Sequence, residues 1–154
     1  MKSWILLADP TDFIRRAIKE KYPKRVLEAE SFPQARDLIG RKDISLLVAE
    51  ILDVTQINYR LIDLVRDARA GRQSYLPVIV YTSDSIGENF MKVAEEVRPD
   101  VMLSKLHVVR ILYSYIDALL ANPNAFRDKP RVAYVDTSRK RLQHLAPYAT
   151  KGIL

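Results

Sequence analysis

The chain has 154 residues, 48% of them hydrophobic and 29% charged, with a formal net charge of +6 and no cysteine. This balance suits one folded domain, with or without an appendage, and excludes a disordered chain. Disulfides, thiolate metal sites and cysteine nucleophiles are excluded as well.

The apolar runs are far shorter than the roughly 20 residues of a membrane-spanning helix. The first of them is also too short for a signal-peptide core and lacks a small-residue cleavage site, so a cytoplasmic location with no membrane partner is expected.

Residues 4–8 read as a buried strand, with Trp4 expected at the sheet edge. Over residues 12–21, Phe13, Ile14, Ala17 and Ile18 share one helical face, opposite Arg15, Arg16, Lys19 and Glu20. Pro23 stops that helix, and residues 25–29 form a short strand. Ser31 is the expected N-cap of a helix running through Ala35, Leu38 and Ile39, with Pro33 in its first turn and Gly40 at its end.

Residues 44–51 are almost wholly apolar, the pattern of a central parallel strand covered on both faces. An amphipathic helix over 59–70 follows through Leu61, Ile62 and Val65 and stops near Gly71. Pro77 opens a strand over 78–81, residues 86–97 read as a helix, and residues 101–103 as a short strand. A last helix over 108–121 is expected to bury Val108, Ile111, Leu112, Tyr115, Ile116 and Leu119. Strict alternation of five strands and five helices predicts a parallel sheet with helices on both faces.

Residues 127–130 read as a polar linker into a strand over 131–136, and a basic helix over 138–147 follows. This tail weakly repeats the chain's own start, an apolar strand, an Asp and a polar turn into a helix. Two readings stand: the beginning of a second α/β unit, or an extra strand and helix packed on the first. The expected division is a domain over 1–124 and an extension over 125–154.

The charge follows that division. Residues 1–124 hold 18 basic and 17 acidic residues, and residues 125–154 hold 7 and 2. Nucleic-acid contact is therefore not expected of the main domain. As a rival function it is confined to the tail, where Arg139, Lys140 and Arg141 would meet phosphates.

In an open parallel sheet the binding crevice lies outside the carboxyl ends of the strands, at the switch point of their order. Asp9-Pro10 follow the first strand, Glu50 ends the third, Thr82-Ser83 end the fourth and Ser104-Lys105 end the fifth. Two carboxylates, a hydroxyl pair and an ammonium would converge there.

These segments resemble the receiver domain of bacterial two-component response regulators, over residues 3–121. The likeness rests on Ile5-Leu6-Leu7-Ala8-Asp9, on Ser45-Leu46-Leu47-Val48-Ala49-Glu50-Ile51, on Pro77-Val78-Ile79-Val80-Tyr81-Thr82-Ser83 and on Arg98-Pro99-Asp100-Val101-Met102-Leu103-Ser104-Lys105. It implies a flavodoxin-like three-layer sandwich with strand order 2-1-3-4-5 and a role in phosphorelay signal transduction. In the family, paired acids after the first strand help hold Mg²⁺, and an Asp ending the third strand accepts a phosphoryl group. A Thr/Ser hydroxyl and a lysine contact the phosphoryl oxygens. Carried over, Asp9 takes the first acidic position, Glu50 the acceptor position, Thr82 with Ser83 the switch hydroxyl, and Lys105 the lysine.

The chemistry departs from the pattern. Pro10 stands at the second acidic position and brings no carboxylate. Glu50 places its carboxylate about 1.5 Å farther out than an Asp would, and a displacement of about 1 Å can cost a catalytic constellation on the order of 100-fold. Leu106 follows Lys105 where the family usually has proline, and Met102 stands where an aromatic switch residue is common. Recruiting Asp53 as acceptor would break the gap-free register of the next helix.

The expectation is therefore a pseudo-receiver without turnover of its own. Glu50 would supply a charge of about −1 where a phosphoryl group supplies nearer −2, a partial mimicry. No cofactor is expected, since the Mg²⁺ site is incomplete. A protein partner or output domain is expected to meet the surface around residues 86–121, where a homodimer could pair Arg110, Asp117 and Glu95 or Glu96. An active Mg²⁺-dependent phospho-receiver is the second alternative beside tail-borne nucleic-acid binding. His107 and His144 lack metal-ligand spacing, and the four glycines form no phosphate-binding loop.

Overall fold

The computed structural model describes residues 3–9, 12–40, 43–50, 60–82, 88–104, 109–133 and 152–153. Ten elements alternate: β1 (Trp4–Ala8), α1 (Asp12–Lys21), β2 (Val26–Ala29), α2 (Phe32–Ile39), β3 (Ile44–Glu50), α3 (Leu61–Arg69), β4 (Val78–Thr82), α4 (Glu88–Val97), β5 (Val101–Ser104) and α5 (Val109–Ala121). The strands pair in parallel in the order β2-β1-β3-β4-β5, the expected flavodoxin-like sheet.

Local chemistry sets the helix ends. Ser31 Oγ accepts the Gln34 backbone N–H at 3.2 Å, and Gln34 Oε1 accepts the Glu30 N–H at 2.7 Å. This satisfies donors that the helix itself cannot, with Pro33 needing none. At α3, Asp63 Oδ2 accepts the Arg60 N–H at 2.9 Å. Beyond the end of that helix Gly71 takes φ 67°, a left-handed turn that costs a glycine little.

The period-two alternation of the strands sorts the core into two layers. Leu6, Ala8, Leu47, Ala49, Val78, Val80 and Met102 pack under α2, α3 and α4. Ile5, Leu7, Leu46, Val48, Ile79, Tyr81 and Leu103 pack under α1 and α5. The second layer is tied by Tyr22, whose hydroxyl donates to Asp117 Oδ1 at 2.6 Å, joining the end of α1 to α5. Of the last-helix residues expected inside, Leu112, Tyr115, Ile116 and Leu119 are buried and Ile111 is half-buried, while Val108 lies outside the described residues. Trp4 does not lie at a sheet edge: β1 is flanked by β2 and β3, and Trp4 packs half-buried against the core.

The sheet does not stop at five strands. β6 (Arg131–Ala133) pairs parallel with β5, and β7 (Gly152–Ile153), a strand not foreseen from the sequence, pairs parallel with β6. β6 is seated by the Arg131 N–H donating to the Asp100 carbonyl at 2.9 Å. Phe126 meets Tyr115 edge-on, with ring centroids 5.5 Å apart, and Arg127 lies 4.3 Å from the centroid of the Tyr75 ring. Residues 134–151, which include the expected basic helix, lie outside the described residues.

At the amino ends of the strands a buried carboxylate gathers four segments. Asp100 Oδ2 accepts the Val78 N–H at 2.8 Å, the Tyr75 hydroxyl at 3.0 Å and Arg69 Nη2 at 3.2 Å. Arg69 also donates to the carbonyls of Leu76, Val97 and Arg98. Asp100 Oδ1 is buried without a hydrogen-bond partner. Burial pushes the Asp100 carboxyl above its ordinary value, against the opposing Val78 N–H and Arg69 charge. Burial and the Asp100 charge likewise push the Tyr75 phenol up to about 12, so it remains a donor at neutral pH.

The linkage has a definite sign. A carboxyl raised in the folded state holds its proton to higher pH there than in the unfolded chain. Its contribution is fully present below the unfolded value of 3.8 and is lost as pH rises through the folded value. Chemical denaturation at a series of pH values is expected to show that slope in the wild type and its loss in D100N. An identical profile in both would refute it.

Candidate functional site

The carboxyl ends of β1, β3 and β4 bring three polar side chains to one face. In β1, Ile5 and Leu7 point toward α1 and α5, and Asp9 continues that parity just past the strand. In β3, Leu46 and Val48 do the same and Glu50 follows them. In β4 the parity runs from Ile79 to Tyr81. The ladder pairs Ala8 with Ala49 and Glu50 with Tyr81, so the two carboxylates sit at neighbouring strand ends and the phenol beside the second.

All three are buried: Asp9 is 0%, Tyr81 4% and Glu50 8% exposed. The Tyr81 hydroxyl donates a hydrogen bond to Asp9 Oδ2. β4 and β1 are separated by β3, a gap of about 9–10 Å at two strand spacings. The tyrosine ring therefore crosses the end of β3 at the level of Glu50. Burial first, then the Asp9 charge, its hydrogen bond and the Glu50 charge, push the phenol far above its ordinary value, with Arg15 opposing. The proton stays on Tyr81, and the bond is a neutral donor serving a carboxylate. Arg15, on α1, has a side chain 12% exposed and reaches Glu30 at 3.5 Å.

Of the expected site residues, the structure brings Asp9 and Glu50 together. The Thr82 backbone closes β4 in register with Ser104. Met102 is buried in the other core layer, with Val80, and does not share the face of the carboxylates. Pro10, Ser83 and Lys105 lie outside the described residues, as do Asp53, Leu106 and His107. Sequence reasoning passed over Tyr81. Counting by twos from Ile79 would have placed its phenol on the carboxylate face, one residue before the hydroxyl that drew notice.

Mg²⁺ prefers near-octahedral oxygen ligation. The residues here do not fit that demand. One Asp9 oxygen is engaged by the Tyr81 hydroxyl, which reaches it from the Glu50 side, and the next residue is a proline. Among the described residues, no group of three or more His, Cys, Asp or Glu is placed to hold a metal ion.

No protein-family model matches the sequence, and no curated protein matches it. Solved structures do match in shape. The signal receiver domain of an HD domain-containing protein from Pseudomonas fluorescens Pf-5 superposes with a TM-score of 0.66 at 18% identity, covering 81% of this chain and 99% of that one. The isolated REC domain of RcsB from Salmonella enterica serovar Typhimurium, in the presence of phosphomimetic BeF3⁻, gives 0.62 at 16% identity over 92% of this chain and 99% of its own. A CheY-like receiver domain protein from Methanospirillum hungatei JF-1 gives 0.52 at 14% identity over 79% and 99%.

The fold is that of a response-regulator receiver domain. At the carboxyl ends of β1, β3 and β4 this chain places Asp9, Glu50 and the tyrosine that bridges toward Asp9 from β4. Among the described residues, no helix is long and apolar enough to cross a membrane.

Proposed function

We propose that the chain is a pseudo-receiver, a signalling module that works through protein–protein contact without accepting a phosphoryl group. The observation that carries this reading is the Tyr81 hydroxyl on Asp9: the carboxylate expected to serve a cation already serves a phenol. Pro10 and Glu50 add to it, the first by removing an oxygen ligand and the second by lengthening the acceptor side chain. Transfer of a phosphoryl group depends on positioning and charge neutralisation, and both are altered here. Glu50 then supplies a permanent negative charge at the acceptor position.

The surface proposed to meet an output domain or partner protein lies around residues 86–121, on α4 and α5; β5 between them is buried, with its edge paired to β6. Glu95 and Glu96 are exposed on α4, with Lys92 Nζ 3.9 Å from Glu96. Asp117, on α5, already accepts the Tyr22 hydroxyl within the chain. An intersubunit ion pair at Asp117 would have to share it. The side chain of Arg110, the expected charge partner, lies outside the described residues.

The test is incubation with Mg²⁺ and acetyl phosphate, or with Mg²⁺ and beryllofluoride, followed by intact-mass and fluorine NMR measurement. No adduct is expected on the wild type. A stoichiometric adduct on Glu50 or Asp53 would overturn the reading in favour of an active receiver.

A further inference from the structure

We propose that Tyr81 is a built-in occupant of the acidic pocket, its hydroxyl holding Asp9 where a divalent cation would otherwise be needed, so that the pocket keeps one arrangement with or without Mg²⁺. The proposal rests on the pseudo-receiver reading and deepens it by naming what sets the state of the site.

Two buried carboxylates at neighbouring strand ends repel one another and lose solvation, a combination that needs a counter-charge or a donor. A phenol meets half of that need. It donates one hydrogen bond to Asp9 Oδ2 and stays neutral, because burial and two neighbouring carboxylates oppose its ionisation. The Arg15 guanidinium adds positive field from α1.

Geometry makes the phenol and a cation mutually exclusive. A cation shared by Asp9 and Glu50 would sit between the ends of β1 and β3. The ring of Tyr81 reaches Asp9 from β4 by crossing the end of β3, through the side of the pocket where Glu50 stands. Its hydroxyl proton points at Oδ2, one of the two oxygens Asp9 has to offer such a cation. A cation can be gained or lost with its concentration, whereas a covalently attached side chain cannot. The occupant is thus a positioning residue, and the expected consequence is a pocket indifferent to divalent cations.

Two substitutions in the full chain separate this role from ordinary packing. Y81F keeps the ring and removes the hydroxyl. Y81V also clears the space over the end of β3 and suits a strand. Melting temperatures are read with and without millimolar Mg²⁺ at matched ionic strength, and cation binding is read directly by Mn²⁺ electron paramagnetic resonance. The wild type is expected to show no Mg²⁺ shift and no bound Mn²⁺. Y81F is expected to melt roughly 3–10 °C lower, the loss of one charge-assisted hydrogen bond in a chain of this size. P10D/Y81V, which brings an acid to position 10 as well as clearing the phenol, is expected to bind Mn²⁺ and to melt higher in Mg²⁺, P10D alone to do neither, and P10D/Y81V/D9N to lose both responses. If P10D/Y81V does not fold, Mn²⁺ binding is read on P10D/Y81F.

Wild-type Mn²⁺ binding that D9N abolishes would overturn the proposal. So would an unchanged melting temperature in Y81F, or destabilised variants that gain no cation response, since the phenol would then be a packing contact only. A phosphoryl or beryllofluoride adduct on the wild type is a different failure and overturns the pseudo-receiver reading itself.

Discussion

Replacing Asp100 by alanine is expected to lower the folding stability by about 3–5 kcal/mol, the usual result of removing one partner from a buried ion pair. Three donors lose their acceptor at once: the Val78 N–H, the Tyr75 hydroxyl and Arg69 Nη2. The Val78 N–H is the most consequential, because it lies in the interior at the start of β4. Native domains are stable by only about 5–15 kcal/mol, so the loss is a large fraction of the whole.

D100N should fall well short of that cost. It keeps an acceptor for the Val78 N–H and removes the desolvation penalty that raises the Asp100 carboxyl. Urea denaturation with linear extrapolation measures both variants. A D100A loss below about 1 kcal/mol, no more than one ordinary hydrogen bond, would show that the network is decorative.

Leu46→Ala and Leu47→Ala are each expected to cost about 2–5 kcal/mol, the transfer term plus the cavity left behind. The two residues are adjacent in β3 and fully buried, yet they point into opposite core layers. Leu46 packs under α1 and α5, and Leu47 under α2, α3 and α4. In a sheet covered on one face only, one of the two changes would be mild. Comparable losses from both, by thermal or urea unfolding, are the signature of a doubly covered parallel sheet. A cost under about 1 kcal/mol at either position would contradict the burial of that face.

The two layers explain why so much of the architecture was legible in advance. A near-continuous apolar run such as residues 44–50 is required only where both faces are buried. The helices announced themselves by their 3.6 period and by punctuation such as Ser31, Gly40 and Gly71. Boundaries differed by a residue or two, for example at α3, which begins at Leu61. These signals are local, and local signals are what a sequence displays. The positions of Asp9 and Glu50 at strand ends followed from the same alternation.

The contacts that give this molecule its character are not local. Tyr81 and Asp9 are 72 residues apart, and Asp100 and Arg69 are 31 apart. The first pairing needs the strand order β1-β3-β4, the shared parity of two strands and a side chain long enough to cross a third. The alternation around Tyr81 gives the face of its phenol but not its partner. The sheet also continued through β6 and β7, because the edge of β5 offered unpaired backbone groups that a later segment could satisfy.

The basic excess of the last thirty residues, legible in the composition, therefore begins beside the domain, with the Arg127 guanidinium over the Tyr75 ring and that of Arg131, at the start of β6, over Phe126. By itself the sequence determined the alternating α/β class and the strand ends at which Asp9 and Glu50 stand. Tertiary structure alone decided that the Tyr81 hydroxyl meets Asp9 and what covers the sheet edge. Both depend on register and strand order, which are settled only when distant segments bury their surfaces together.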